Sequence, residues 1–105
     1  MSEYTPDVWV ILKITNKGNV HHRVFGGWYG GYLNGDSWKM NSGITRVEDK
    51  GELLDFYGES GSVYHCYKSA EKMSGYMSTI FSSLQSQVTS ERQIEVIDFK
   101  DLELT

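Results

Sequence analysis

Two adjacent histidines, a His65–Cys66 pair and the carboxylates Asp55 and Glu59 are the residues of this chain whose types suit catalysis or metal binding. Neighbours in a strand point to opposite faces. His21 and His22 are therefore poorly placed to share one metal ion, and His65 is poorly placed to take a proton from Cys66. Neither HExxH nor a related ligand spacing occurs. A single cysteine excludes both an intramolecular disulfide and a multi-cysteine zinc site. Asp55 and Glu59 would act as a glycosidase-like pair only if the fold set them across a cleft. The expectation is a non-enzymatic protein with no metal and no cofactor. Cys66 then serves as a small buried hydrophobe. A small enzyme built from Arg23, Asp55, Glu59 and His65 is the competing reading.

A second group is denser. RVFGGWYGGYLNGDSW, residues 23–38, holds five of the eleven glycines and two of the three tryptophans. It lacks the lysine of a phosphate-binding P-loop and is not GxGxxG, so the familiar nucleotide fingerprints are excluded. Its residues still suit binding. Trp28, Tyr29, Tyr32 and Trp38 offer large, rigid contact area to a protein, or stacking faces to a base. Arg23, Lys39 and Arg46 could meet a phosphate, and Asp36 could serve in the same site. The purely architectural reading is equally definite. Glycines let a strand coil, bulge or accept a ring over its backbone, and residues 33–36 form a turn with Gly35 at positive φ. On that reading Phe25, Trp28 and Trp38 are inside, with Tyr29 and Tyr32 semi-exposed.

The elements that must position these residues follow from periodicity. VWVILKIT, residues 8–15, reads as a strand buried on both faces for part of its length. NKGN at 16–19 turns it into a second strand over 20–28, giving a hairpin. Strands at 43–49, 53–57 and 62–67, separated by turns at Lys50-Gly51 and 59–61, make an antiparallel meander. In the last of these, Val63, His65 and Tyr67 share one side, and Tyr64 and Cys66 the other. From Met73 to Val88 the period changes to three and four, predicting one amphipathic helix with Met77, Phe81 and Leu84 inward and Ser74 at its cap. IEVIDF, 94–99, suggests a last strand before an acidic tail. The fold class is α+β: a twisted antiparallel sheet of about five or six strands with one amphipathic helix packed on one face. The 105 residues form a single domain, with 1–6 and 101–105 flexible.

Composition narrows the partners. The chain is 39% hydrophobic with a formal charge of −4, a globular balance that argues against gripping long nucleic acid through many phosphates. The stretch MSEYTPDVWVILK starts acidic and reads as a strand, not a signal peptide. No window is long enough for a membrane span. A reducing cytoplasm is the expected setting.

RVFGGWYGGYLNGDSWKMNSGI, followed by GESGSVYHCYKS, resembles small uncharacterised accessory proteins of tailed bacteriophages over residues 8–80. The resemblance implies expression in the bacterial cytoplasm and action by binding a host or defence protein. The expected function is accordingly a non-enzymatic protein-binding module, with a homodimer as one form of partnership. The alternative is a nucleotide-sequestering or nucleic-acid-binding protein that uses the same aromatics.

Overall fold

The computed structural model describes residues 2–30 and 35–103. Its centre is the hairpin of β2 (Val8–Asn16) and β3 (Asn19–Trp28), in register from Asn16↔Asn19 to Val8↔Gly27. The connection is the two-residue turn Lys17-Gly18, with φ of 51° and 83°. Two positive φ values in a two-residue hairpin loop match the right-handed twist of the flanking strands. Two further strands extend this sheet, β4 (Ser37–Met40) beside β3 and β8 (Arg92–Ile97) beside β2. The order is β4-β3-β2-β8, all antiparallel.

The expected meander is present as β5 (Ile44–Asp49), β6 (Leu53–Gly58) and β7 (Val63–Tyr67), turned at Gly51 and Gly61, both at positive φ. It belongs to a second sheet, ordered β1-β7-β6-β5. There β1 (Glu3–Tyr4) runs parallel to β7. One sheet of five or six strands is thus corrected to two sheets of four. The helix, α1 (Gly75–Gln85), starts two residues later and ends three earlier than the apolar spacing suggests. Ser74 caps it, its hydroxyl accepting the Met77 N–H at 3.1 Å.

The layers run second sheet, first sheet, helix. Trp9, Ile11 and Val24 leave the first sheet on one face and meet Leu54, Phe56, Tyr64 and Cys66 of the second. Val8, Val10, Leu12, Ile14 and Phe25 leave it on the other face and meet Met77, with Ile80, Phe81 and Leu84 packed against them. β2 is covered from both sides over residues 8–12, which is why that part of its sequence is an unbroken apolar run. Trp9 is fully buried between the rings of Phe56 and Phe99, and its indole N–H donates to the Tyr67 carbonyl at 2.7 Å. Removing such a ring costs about 3–5 kcal/mol, a large part of the 5–15 kcal/mol that holds a small domain together.

The glycine-rich strand is mostly architecture. A Cβ at Gly26 would stand 2.9 Å from Pro6, and one at Gly27 would stand 2.8 Å from Met77 Cγ. Phe25 is fully buried, as expected. Trp28 is half-buried, its N–H donating to the Thr5 carbonyl at 3.1 Å. Trp38 departs from expectation. It lies on β4, at the sheet edge, and is 39% exposed, because among the described residues no strand pairs with β4 on its outer side. Among the described residues no helix is long and apolar enough to cross a membrane.

Candidate functional site

Strand alternation sorts the residues of the β4 edge onto two sides. Trp38 and Met40 turn toward the helix layer. Trp38 meets the edge of Phe25 at 5.6 Å between ring centroids, and Met40 packs against the helix-side core. Lys39 turns the other way and stands over the Tyr4 ring of β1 at 4.9 Å. Beyond the end of β4 the chain crosses from one sheet to the other through Asn41, Ser42 and Gly43. The backbone there is fixed by Asn41 N–H donating to the Val24 carbonyl at 3.1 Å, and by Val24 N–H donating to Asn41 Oδ1 at 2.8 Å.

Three cavities surround this edge. On the helix side, a groove of about 450 Å³ has a floor of Leu12, Ile14, Met40, Leu84 and Ile94, a wall of Trp38, and Arg23, Lys39 and Arg92 around it. On the other side, a pocket of about 460 Å³ between the two sheets is lined by Arg23, Lys39, Asn41 and the serines 42, 60 and 62, together with Tyr4 and Tyr64. A third, of about 380 Å³, lies between Tyr4, Trp28 and Trp38. Arg23, Lys39 and Met40 are common to the first two.

The electrostatics of these two cavities run against the chain's net charge of −4. Among the described residues, neither is lined by a carboxylate. The Arg23 guanidinium touches Met40 Sδ at 3.9 Å through Nη1, and its Nε is buried with no acceptor. Burial holds His21 below the usual histidine range, with Arg23 adding to the effect, and burial with Lys13 does the same for His22. A buried guanidinium N–H without an acceptor is unfavourable.

The structure therefore brings together Arg23, Trp28, Trp38 and Lys39 from the expected binding residues. The others lie apart. Tyr29 is 54% exposed, its backbone N–H bonded to Asp7 Oδ2 at 2.8 Å. Asp36 accepts the Gly30 N–H at 3.3 Å and so ties its own loop. Arg46 is on β5, at the other edge of the second sheet from β1. It stacks on Tyr57 at 4.0 Å and pairs with Glu48. Tyr32 lies outside the described residues. Asn41, Ser42, Ser60, Ser62 and Arg92 were not foreseen. Serines beside glycines read simply as turn formers, and no local pattern marks a residue that a chain crossing brings to a pocket.

The groups suited to catalysis occupy four places. Asp55 and His65 meet on the second sheet, on the side away from the core. His65 Nδ1 is 2.7 Å from Asp55 Oδ1, and Nε2 is 2.9 Å from Glu3 Oε1. The hydrogen bond to Asp55 raises the His65 pKa most, and that to Glu3 adds to it. Cys66 points the opposite way, is fully buried, and has its thiol pushed up by that burial. Glu59 borders a pocket with His21 and His22, and Arg23 belongs to the β4 edge. Among the described residues, no three histidine, cysteine or acidic side chains are placed to hold a metal ion. No family model matches this sequence, and neither a curated protein nor a solved structure matches it.

Proposed function

We propose that this chain is a non-enzymatic binding module that takes an acidic segment of a partner protein in the groove between α1 and β4. One observation carries this reading: an apolar groove bordered by three cations and, among the described residues, no carboxylate, on a chain of net charge −4. An apolar side chain of the partner would lie on Met40, Leu84 and Ile94 against Trp38. Acidic neighbours of that side chain would meet Arg23, Lys39 and Arg92. Exposed tryptophan and arginine are the residue types that most often dominate such contacts, and opposite potentials speed and orient the encounter. The resemblance to phage accessory proteins supplies the setting, a host or defence protein in the bacterial cytoplasm. A small anionic ligand is the second reading, favoured by the hydroxyl-lined pocket on the other side of β4.

Selection from an mRNA-displayed peptide library tests the leading reading. The expected winners carry an aromatic or aliphatic residue flanked by Asp and Glu, and they lose binding to Trp38→Ala and Arg92→Glu. Winners without acidic bias, or winners that bind these two variants as well as the parent chain, would overturn it.

A further inference from the structure

We propose that the pocket between the two sheets, beside Lys39, binds the phosphate group of a small ligand. This names the ligand class of the second reading and does not rest on the peptide groove. Only two buried side-chain polar atoms among the described residues lack a partner, Arg23 Nε and Asn41 Nδ2. Both are donors; Asn41 lines this pocket, and Arg23 is shared between it and the helix-side groove. Asn41 is 2% exposed, and its amide is oriented by structure: Oδ1 is taken by the Val24 N–H, so Nδ2 is the end left over. Leaving a buried donor unpaired is unfavourable, so Asn41 Nδ2 beside this pocket points to an acceptor that the protein itself does not supply.

The rest of the lining is of the same character. Ser42 Oγ accepts the Ser60 N–H at 2.9 Å and donates to Ser60 Oγ at 3.2 Å, and Ser62 Oγ is 3.5 Å further along. This chain of hydroxyls lies against Gly58, where an added Cβ would stand 3.0 Å from Ser62 Oγ, 3.1 Å from Ser42 Oγ and 3.5 Å from Asn41 Nδ2. A side chain at Gly58 would crowd the polar cluster, so the glycine preserves it. Burial holds the Tyr64 phenol at a pKa of about 12, so it stays a neutral hydroxyl at ordinary pH. Two cations, an amide and several hydroxyls, with no carboxylate among the described residues, suit an acceptor of high charge. A phosphate monoester carries about −1.5 to −2 and three acceptor oxygens, which balances Arg23 and Lys39 together, whereas a carboxylate would leave one of them uncompensated. A volume of about 460 Å³ leaves room for the group that bears the phosphate.

Titration of the ¹⁵N-labelled chain followed by NMR tests this. The probes are inorganic phosphate and adenosine monophosphate, with chloride at matched ionic strength as control. The expected result is saturable movement of the Asn41 side-chain amide, the Arg23 Nε–H and the Ser60 backbone amide with both phosphate probes and not with chloride. Lys39→Gln, at an exposed position, should weaken binding about tenfold. Ser60→Asp, also exposed, should abolish it while the rest of the spectrum is retained. Tighter binding of the nucleotide than of phosphate would assign part of the recognition to the nucleoside, and equal binding would assign it to the phosphate alone. Arg92→Glu separates the two readings, because it blocks the helix-side groove and leaves phosphate binding unchanged. Stationary Asn41 and Arg23 signals at millimolar phosphate, or Lys39→Gln titrating like the parent chain, would overturn the proposal.

Discussion

The side chain of Met77 occupies the space that any side chain at Gly27 would need. A Cβ there would lie 2.8 Å from Met77 Cγ and nearer still to the sulfur. Met77 is the one fully buried residue of α1, so this contact seats the helix on the sheet. Gly27→Ala is expected to lower stability by about 1–3 kcal/mol through overpacking. Met77→Ala alone should cost about 2–5 kcal/mol through the lost contacts. Because the two residues compete for one space, the double variant should be more stable than the sum of the single losses implies. Urea unfolding of all four proteins measures this. Strict additivity would show that Met77 does not bear on Gly27.

The same pair shows what was legible in the sequence. The spacing Met73, Met77, Ile80, Phe81 and Leu84 announced the helix, and the apolar run 8–12 announced a strand covered on both faces for part of its length. That second reading already required two covering layers, yet one helix supplies only one. The missing layer was the meander itself, which local patterns could not separate from the first sheet. β1 is two residues long and pairs in parallel with β7, sixty residues away in the chain, so nothing near Glu3 and Tyr4 signals it. β4 is the four-residue stretch SWKM at an edge, which alternates but is too short to stand out beside the glycine-rich segment before it. Arg23 and Lys39 were recognisable as cations near aromatics. Their convergence with Asn41, Ser60 and Ser62 depends on the chain crossing between sheets.

His65 makes stability fall as pH rises. A doubly protonated imidazole can donate to Asp55 and Glu3 at once, and a neutral one can donate to only one of them. Its folded pKa is raised above the ordinary value of about 6.5. The stabilisation is therefore complete below about pH 6.5 and is lost as pH climbs through the raised folded value. His21 and His22, whose pKa values are lowered, contribute the opposite slope, so the comparison must be made against His65→Gln. The stability difference between parent and variant should shrink from pH 5.5 to pH 9 in urea unfolding series. A difference that stays constant or grows would contradict the two-carboxylate clasp.

Cys66 should behave as core. It is fully buried between the sheets and faces away from His65, since the two side chains leave β7 on opposite faces. Burial raises its thiol pKa, which suppresses the nucleophilic thiolate. Labelling with a chromogenic disulfide reagent at pH 8 is expected to be slow and to follow the opening rate of the domain. It should therefore accelerate with urea in step with unfolding. Rapid labelling of the native protein would place Cys66 near a surface and revive a thiol chemistry.

Trp38 offers the clearest separation of fold from function, because Trp9 provides its contrast. Trp9 is fully buried between both sheets and donates a hydrogen bond, and Trp38 lies 39% exposed at an edge with one ring contact to Phe25. An aromatic pair of that kind contributes about 0.5–1.5 kcal/mol beyond burial. Trp38→Ala should therefore keep the fold and lose stability on that order, whereas Trp9→Ala should lose about 3–5 kcal/mol. Binding should invert the ranking. If the groove beside β4 takes a partner segment, truncating its tryptophan wall removes a central anchor. That is worth about 2 kcal/mol or more, roughly a thirtyfold loss of affinity. Unfolding curves and peptide affinities measured on the same two preparations decide it. A Trp38→Ala protein that binds selected peptides as tightly as its parent would mean that the exposed ring serves Phe25 alone.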